Sequence, residues 1–385
     1  MKRILAAAVG IALLGLLPLS AGAATLAEAG KSAVLMDVTT GTVLYEHNSH
    51  EALAPASVTK VMTMLLIMEA VDSGKIALTD TVTASEAAAA KGGSQIYLKA
   101  GETMSVSDML KSIAVSSAND CACAMAEHIC GSESAFVEAM NRRAKELGMQ
   151  DTHFVNCTGL DDDDSAKLHR TSAYDIALMS RELLKNHPDI KKYTTIWMDT
   201  VRNGAFGLSN TNKLIRFYPG ATGLKTGYTA GAGYCLSASA QKEGMELIAV
   251  VMGAKTSQAR NAACKELLDY GFANFAVVAP EPEELPQVAV RLGKQTQVPV
   301  KMEETAGMLI EKSQRSGITT EISLEDSVAA PVVRGQTLGS LSVKSGEQTL
   351  RQIPLVAAED VERLSTGDIF LAVLRRAAMA KEGQE

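Results

Sequence analysis

Ala54-Pro55-Ala56-Ser57-Val58-Thr59-Lys60 leads straight into Val61-Met62-Thr63-Met64-Leu65-Leu66-Ile67-Met68-Glu69-Ala70. Pro55 opens a helix in which Val58, Met62, Leu65, Leu66 and Ala70 recur at helical spacing. Serine and lysine three residues apart on a helix share one face and reach each other. A serine hydroxyl is a poor nucleophile until a base takes its proton. For Lys60 to be that base it must be neutral, which requires desolvation or a neighbouring cation. Ser57 would also sit by the positive end of the helix, where developing negative charge is favoured.

By itself S-x-x-K is weak. A second copy, Ser239-Ala240-Gln241-Lys242, runs into Glu243-Gly244 at an exposed strand end with no helix to align it, and reads as a decoy.

Outward from the first copy, the preceding chain forms strands over 32–38 and 42–45, joined by the turn Thr39-Thr40-Gly41. Residues 84–184 are chiefly helical, with loops at 91–94, 131–132 and 161–164. Strand character returns over 194–201, 223–229, 234–240 and 245–253, and a helix over 260–275 closes the unit. Strands at both ends with helices between predict an α+β unit with a mixed or antiparallel sheet. Ala279-Pro280-Glu281-Pro282 is a linker by composition. Beyond it, short runs over 288–292, 296–302, 308–311, 318–324 and 336–343 predict a small all-β sandwich. A final helix over 366–381 carries Phe370, Val373, Leu374 and Ala377 on one face, with Arg375, Arg376 and Lys381 as cations. Such a segment suits a membrane interface.

Two further groups carry chemistry. Ser117-Ala118-Asn119 stands where an apolar helix over 109–115 ends. Its hydroxyl suits proton relay and its amide suits holding a peptide carbonyl and the lysine, although both residue types also cap helices. Lys225-Thr226-Gly227 lies on a strand ringed by glycines. It offers a cation and a hydroxyl to a carboxylate, a glycine beside which a substrate backbone can lie close, and an edge for β-addition.

The three groups occur in the order Ser57-x-x-Lys60, Ser117-x-Asn119, Lys225-Thr226-Gly227, on a helix start, a helix end and a strand. This set resembles the penicillin-binding-protein and serine β-lactamase superfamily. Ala54-Pro55-Ala56-Ser57, Ser117-Ala118-Asn119-Asp120, Asn210-Thr211-Asn212-Lys213-Leu214 and Gly223-Leu224-Lys225-Thr226-Gly227-Tyr228-Thr229 are similar to the low-molecular-mass D-Ala-D-Ala carboxypeptidases, peptidase family S11. So is the segment from His153-Phe154-Val155-Asn156 through Gly159-Leu160 to His169 and Thr171. The resemblance spans essentially the whole mature chain. It implies a β-lactamase/transpeptidase-like catalytic domain over 24–276, a β-rich domain over 283–362 and a membrane-anchoring amphipathic helix over 366–381.

The same resemblance implies roles. Ser57 would be acylated with release of the terminal D-alanine, and water would hydrolyse the acyl-enzyme. Lys60 would be the general base, Ser117 and Asn119 would assist proton transfer and hold substrate, and Lys225 and Thr226 would bind the substrate carboxylate with Arg260 nearby. Backbone N–H groups of Ser57 and Tyr228, the latter directly after Gly227, would form an oxyanion hole worth about 3–4 kcal/mol per donor. Neither cofactor nor metal is implied. The implied partners are a peptidoglycan stem peptide ending in D-Ala-D-Ala, β-lactams as covalent inhibitors, and a membrane surface. Tyr228 departs from the histidine familiar in some members, and Cys157 stands where proline or a small residue is common.

The rest of the sequence fits. Lys2 and Arg3, an apolar run over 4–19 and Ala21-Gly22-Ala23 form a secretory signal peptide over 1–23, too short for a good membrane anchor. Its removal takes the net charge from −7 to −9 and places the enzyme at the outer face of the cytoplasmic membrane. That charge and 4% aromatic content exclude nucleic-acid binding. The six cysteines form no C-x-x-C pair and read mostly as small buried hydrophobes. His47 and His50 lack a ligand set, and the acidic run 161–164 lacks the alternating ligands of a calcium loop. A class A β-lactamase would carry a deacylating E-x-x-x-N between Asn119 and Lys225, and no convincing copy is present. A non-enzymatic wall-binding scaffold is opposed by the intact reactive groups.

Overall fold

Ser32–Asp37 (β1) is buried at all six positions, as a strand is only when both its faces are covered. The computed structural model describes residues 26–162, 164–279, 284–303, 307–371 and 373–374. The signal segment 1–23 and residues 280–282 of the linker lie outside them. β1 pairs antiparallel with Val43–His47 (β2). Ala221–Thr229 (β3), Gly233–Lys242 (β4) and Met245–Ala254 (β5) complete an antiparallel five-stranded sheet in the order β2-β1-β5-β4-β3. Alternation along the strands sorts the core. Val34, Met36, Ile248 and Val250 enter one apolar cluster, while Ala33, Leu35, Leu247 and Ala249 enter another.

Helices Lys60–Asp72 (α1), Val106–Ser116 (α2), Asn119–Cys130 (α3), Glu133–Glu146 (α4) and Ala173–Asn186 (α5) supply the first cluster. Ser257–Asn274 (α6) covers the opposite sheet face. The sequence marks one apolar stripe on α1, yet Val61, Met62, Met64, Leu65, Ile67 and Met68 are all buried. α1 is a central helix walled in by α2, α3 and α5, so it is apolar nearly all round.

Two local readings change. The α-helix begins at Lys60, because Ala56–Thr59 forms a 3-10 turn ahead of it. The strand expected over 194–201 starts only at Met198, since Lys191–Thr194 is a helical turn; Met198–Val201 pairs with Phe206–Ser209.

Past α6, Phe275–Val278 pairs with Met308–Glu311. A three-stranded sheet and a four-stranded sheet then share one core containing Val288, Val298, Leu338, Leu341, Ile353 and Leu355. The run expected over 296–302 is split at Pro299 into Gln297–Val298 and Val300–Met302, which join different sheets. Gln348–Ala357, a ten-residue strand, escapes the sequence pattern because Pro354 interrupts it. Residues 366–371 and 373–374 are helical, and the remainder of the 366–381 segment lies outside the described residues. Among the described residues no helix is long and apolar enough to cross a membrane.

Candidate active site

Ser57 lies on the 3-10 turn and is its one half-exposed residue; Ala56, Val58 and Thr59 are buried. The turn is tight enough to hold Ala56 at φ +49, a left-handed conformation that alanine rarely adopts. Gly159 packs on it so closely that a Cβ there would stand 1.8 Å from the Ala56 carbonyl oxygen. That same oxygen accepts a hydrogen bond from Thr59 Oγ1 at 2.8 Å, and Thr59 Oγ1 is 2.7 Å from His169 Nε2.

Lys60, the first residue of α1, has no solvent exposure. Its Nζ donates to Ser57 Oγ at 3.1 Å and to the Thr158 carbonyl at 2.7 Å. Burial brings its pKa down to about 7, against the opposing pull of Cys157 and Asp120. Of the two causes the sequence offered for a neutral lysine, desolvation is the effective one.

Ser117 ends α2 in a left-handed conformation (φ 63), and Asn119 begins α3. Neither side chain caps a helix. Asn119 Nδ2 donates to the Gly92 carbonyl at 2.7 Å, not to a group beside Lys60, and its N–H donates to the Ser94 carbonyl at 2.7 Å. Ser117 Oγ and Asn119 Oδ1 are buried and have no hydrogen-bond partner among the described residues. Buried polar atoms are nearly always paired, so two orphans in one three-residue motif mark it as a place for a ligand's donors and acceptors.

β3 is an edge strand of the sheet and carries the third group. Lys225 is buried, with Nζ 2.8 Å from the Thr226 carbonyl; burial, then Lys60 and Arg260, hold its pKa well below the ordinary lysine range. Thr226 Oγ1 donates to Thr211 Oγ1 at 2.6 Å, and the Thr211 N–H donates to the Val115 carbonyl at 3.1 Å. Thr211 thereby ties the end of α2, and with it Ser117, to β3. Gly227 serves a purpose other than the one read from sequence: a Cβ on it would lie 2.7 Å from the Pro55 oxygen and 3.0 Å from the nitrogens of Ser57 and Val58. It admits the nucleophile turn as well as any substrate.

Tyr228 is 55% exposed and stacks on its cross-strand neighbour Tyr234, with ring centroids 4.2 Å apart. The closing helix begins at Ser257, three residues before the start expected at Arg260. Arg260 therefore sits inside α6, one turn from the Thr256 cap, and is 5% exposed. Its Nε and Nη2 donate to Asn261 Oδ1 at 3.0 and 2.9 Å, its guanidinium lies 5.9 Å from the Tyr234 ring, and burial lowers its pKa.

Other groups stay apart. Ser239 is buried in β4 against Thr222 Oγ1 at 2.8 Å, while the half-buried Lys242 reaches the Tyr218 hydroxyl at 3.1 Å. Residues three apart on a strand point to opposite faces, so this S-x-x-K never assembles. All six cysteines are free, and five are buried. His50 Nδ1 lies 2.8 Å from Asp151 Oδ2. Among the described residues, the one trio spaced for a metal is Glu69, Glu182 and His187, and Arg143 already bonds both glutamates at 2.7 and 2.6 Å. Sequence reasoning missed the Thr158 carbonyl, Thr211 and Thr59. Each lies inside a quoted phrase or beside one, but a backbone acceptor or a second-row hydroxyl has no signature of its own.

Known proteins resemble this chain over most of its length. Residues 20–256 match the peptidase S11 family model, D-alanyl-D-alanine carboxypeptidase, and residues 279–363 match the penicillin-binding protein 5 C-terminal domain. The chain belongs to the S11 D-alanyl-D-alanine carboxypeptidase family. Among its relatives, the D-alanyl-D-alanine carboxypeptidase DacF of Bacillus subtilis (strain 168) is 46% identical over 357 residues, covering 91% of this chain and 90% of that one. Penicillin-binding protein 5 from Haemophilus influenzae is similar in structure at 31% identity and TM-score 0.74, covering 87% and 98% of the two chains. Penicillin-binding protein D2 from Listeria monocytogenes, solved in an ampicillin-bound form, aligns at 32% identity and TM-score 0.58 over 63% of this chain and 98% of that one.

Proposed function

We propose that this protein is a serine D-Ala-D-Ala carboxypeptidase that removes the terminal D-alanine from peptidoglycan pentapeptides and is acylated by penicillins at the same residue. The observation that carries the reading is the buried Lys60 amine, with a pKa near 7, at 3.1 Å from the Ser57 hydroxyl. Neutral Lys60 takes the Ser57 proton as Oγ attacks the carbonyl between the two D-alanines. The developing oxyanion is stabilised by the N–H groups of Ser57 and Tyr228. Ser117 Oγ relays a proton to the departing D-alanine amine, and Asn119 Oδ1 accepts from the substrate amide. Lys225, Thr226 and Arg260 gather the terminal carboxylate, a role their N–H and O–H donors suit. Water then hydrolyses the acyl-enzyme.

On this reading residues 1–23 are a signal peptide, 24–276 the catalytic domain, 283–362 a β-rich domain and 366–381 a membrane-binding helix. The exposure of Phe370, Val373 and Leu374 supports the last assignment. The enzyme works at the outer face of the cytoplasmic membrane, without metal or cofactor.

Mass spectrometry on a pentapeptide ending in D-Ala-D-Ala tests the reaction. Loss of one alanine is the expected result. Cleavage of cross-linked dimers alone would make it an endopeptidase, rapid penicillin turnover a β-lactamase, and no labelling by fluorescent penicillin a scaffold.

A further inference from the structure

We propose that His169 is a positioning residue for the oxyanion donor at Ser57, acting through Thr59 on the Ala56–Ser57 peptide. The inference rests on the reading that the Ser57 N–H faces the reacting carbonyl oxygen. His169 is 3% exposed and sits at the far end of the 155–169 segment that also supplies the Thr158 carbonyl to Lys60.

The hydrogen bonds fix its tautomer. His169 Nδ1 is 3.1 Å from the Val155 nitrogen, whose N–H is a donor, so Nδ1 accepts and the ring proton is on Nε2. Burial, with His153, Arg170 and Lys60 nearby, lowers its pKa to about 4 and keeps the ring neutral in this role. Nε2–H therefore donates to Thr59 Oγ1 at 2.7 Å, and Thr59 spends its single proton on the Ala56 carbonyl at 2.8 Å. The three bonds run in one direction, from the Val155 N–H through the ring and the hydroxyl to the Ala56 oxygen.

A trans peptide is planar, with its C=O and N–H pointing opposite ways. Holding the Ala56 carbonyl therefore aims the Ser57 N–H. The restraint matters here because Ala56 is left-handed at φ +49, a conformation an alanine would leave if nothing held it. Gly159, without a Cβ, lets the same segment close over the carbonyl.

The test is stopped-flow acylation of the full chain by a fluorescent penicillin, separating the dissociation constant of the first complex from the acylation rate constant. In Thr59→Val and His169→Leu the rate constant is expected to fall about 10- to 100-fold, somewhat less than loss of a whole oxyanion donor. The dissociation constant should stay within about twofold. Thr59→Ser and His169→Gln, which keep a hydroxyl and an N–H donor, should recover most of the rate. Should His169→Leu fail to fold, the isosteric Thr59→Val carries the test. Acylation within twofold of the parent in Thr59→Val, or an equal loss in Thr59→Ser, overturns the proposal. Ser57→Ala is measured alongside: labelling that persists there removes the nucleophile assignment itself, whereas a silent Ser57→Ala beside unaffected Thr59 and His169 variants removes the positioning role alone.

Discussion

Gly227 and Ser57 meet backbone to backbone, a Cβ on Gly227 lying 3.0 Å from the Ser57 nitrogen and 2.7 Å from the Pro55 oxygen. The strand that would take the substrate carboxylate and the turn that carries the nucleophile are packed as one unit. Gly227→Ala must push them apart by several tenths of an ångström or more. Its expected effect is a loss of acylation of about 100-fold, since small misplacements of reacting groups are that costly. Stability should fall by only about 1–3 kcal/mol, as for other overpacked sites. Penicillin acylation rates and melting curves of the variant check this; a rate within threefold of the parent would count against it.

The pH dependence of acylation follows from Lys60. The lysine acts as a base only when neutral, and burial sets its pKa at about 7. The second-order acylation constant should rise about tenfold per pH unit below 7 and level off above it. A flat profile between pH 5.5 and 8.5 would remove Lys60 from the base role.

Removing Lys60 should abolish function and yet raise stability. Folding lowers the Lys60 pKa from 10.5 to about 7, so between those values the unfolded chain binds more protons and stability rises with pH. Below pH 7 the full cost of burying the cation is present. Lys60→Met abolishes acylation yet is expected to stabilise the fold by roughly 1–4 kcal/mol near pH 6, with the difference shrinking toward pH 10. Urea titrations at the two pH values measure it, and an equal effect at both would be the wrong outcome.

The two S-x-x-K copies separate by mutation. Ser57→Ala should lose penicillin labelling entirely. Ser239→Ala should keep the parent's labelling rate and lose about 0.5–1.5 kcal/mol through its bond to Thr222. Gel fluorescence and thermal melts distinguish them.

Much of the site was readable because its parts are side chains in short phrases on predictable elements. Lys60, Ser117 and Lys225 occupy the helix start, helix end and strand expected of them, and Asn119 follows the same helix end. What escaped lies in backbone and burial. The 3-10 turn differs from a first α-turn only in its hydrogen-bond register, which side-chain periodicity does not report. The Thr158 carbonyl that accepts from Lys60 has no side-chain signal. An arginine reads as solvated until the fold covers it, as α6 and β4 do for Arg260. Prolines hid the rest, Pro299 by dividing one apparent strand and Pro354 by masking another.

Phe275–Val278 follows α6 directly in the chain, but its hydrogen-bonded partner is Met308–Glu311, beyond the linker. Proteolysis near residue 280 would therefore release a catalytic lobe ending in an orphaned strand, with Ala276 and Val278, which pack on the C-terminal core, bare and a row of backbone groups unmatched. Such an edge invites pairing between copies. A lobe trimmed back to Asn274 should stay dispersed in solution where one ending at Ala279 self-associates.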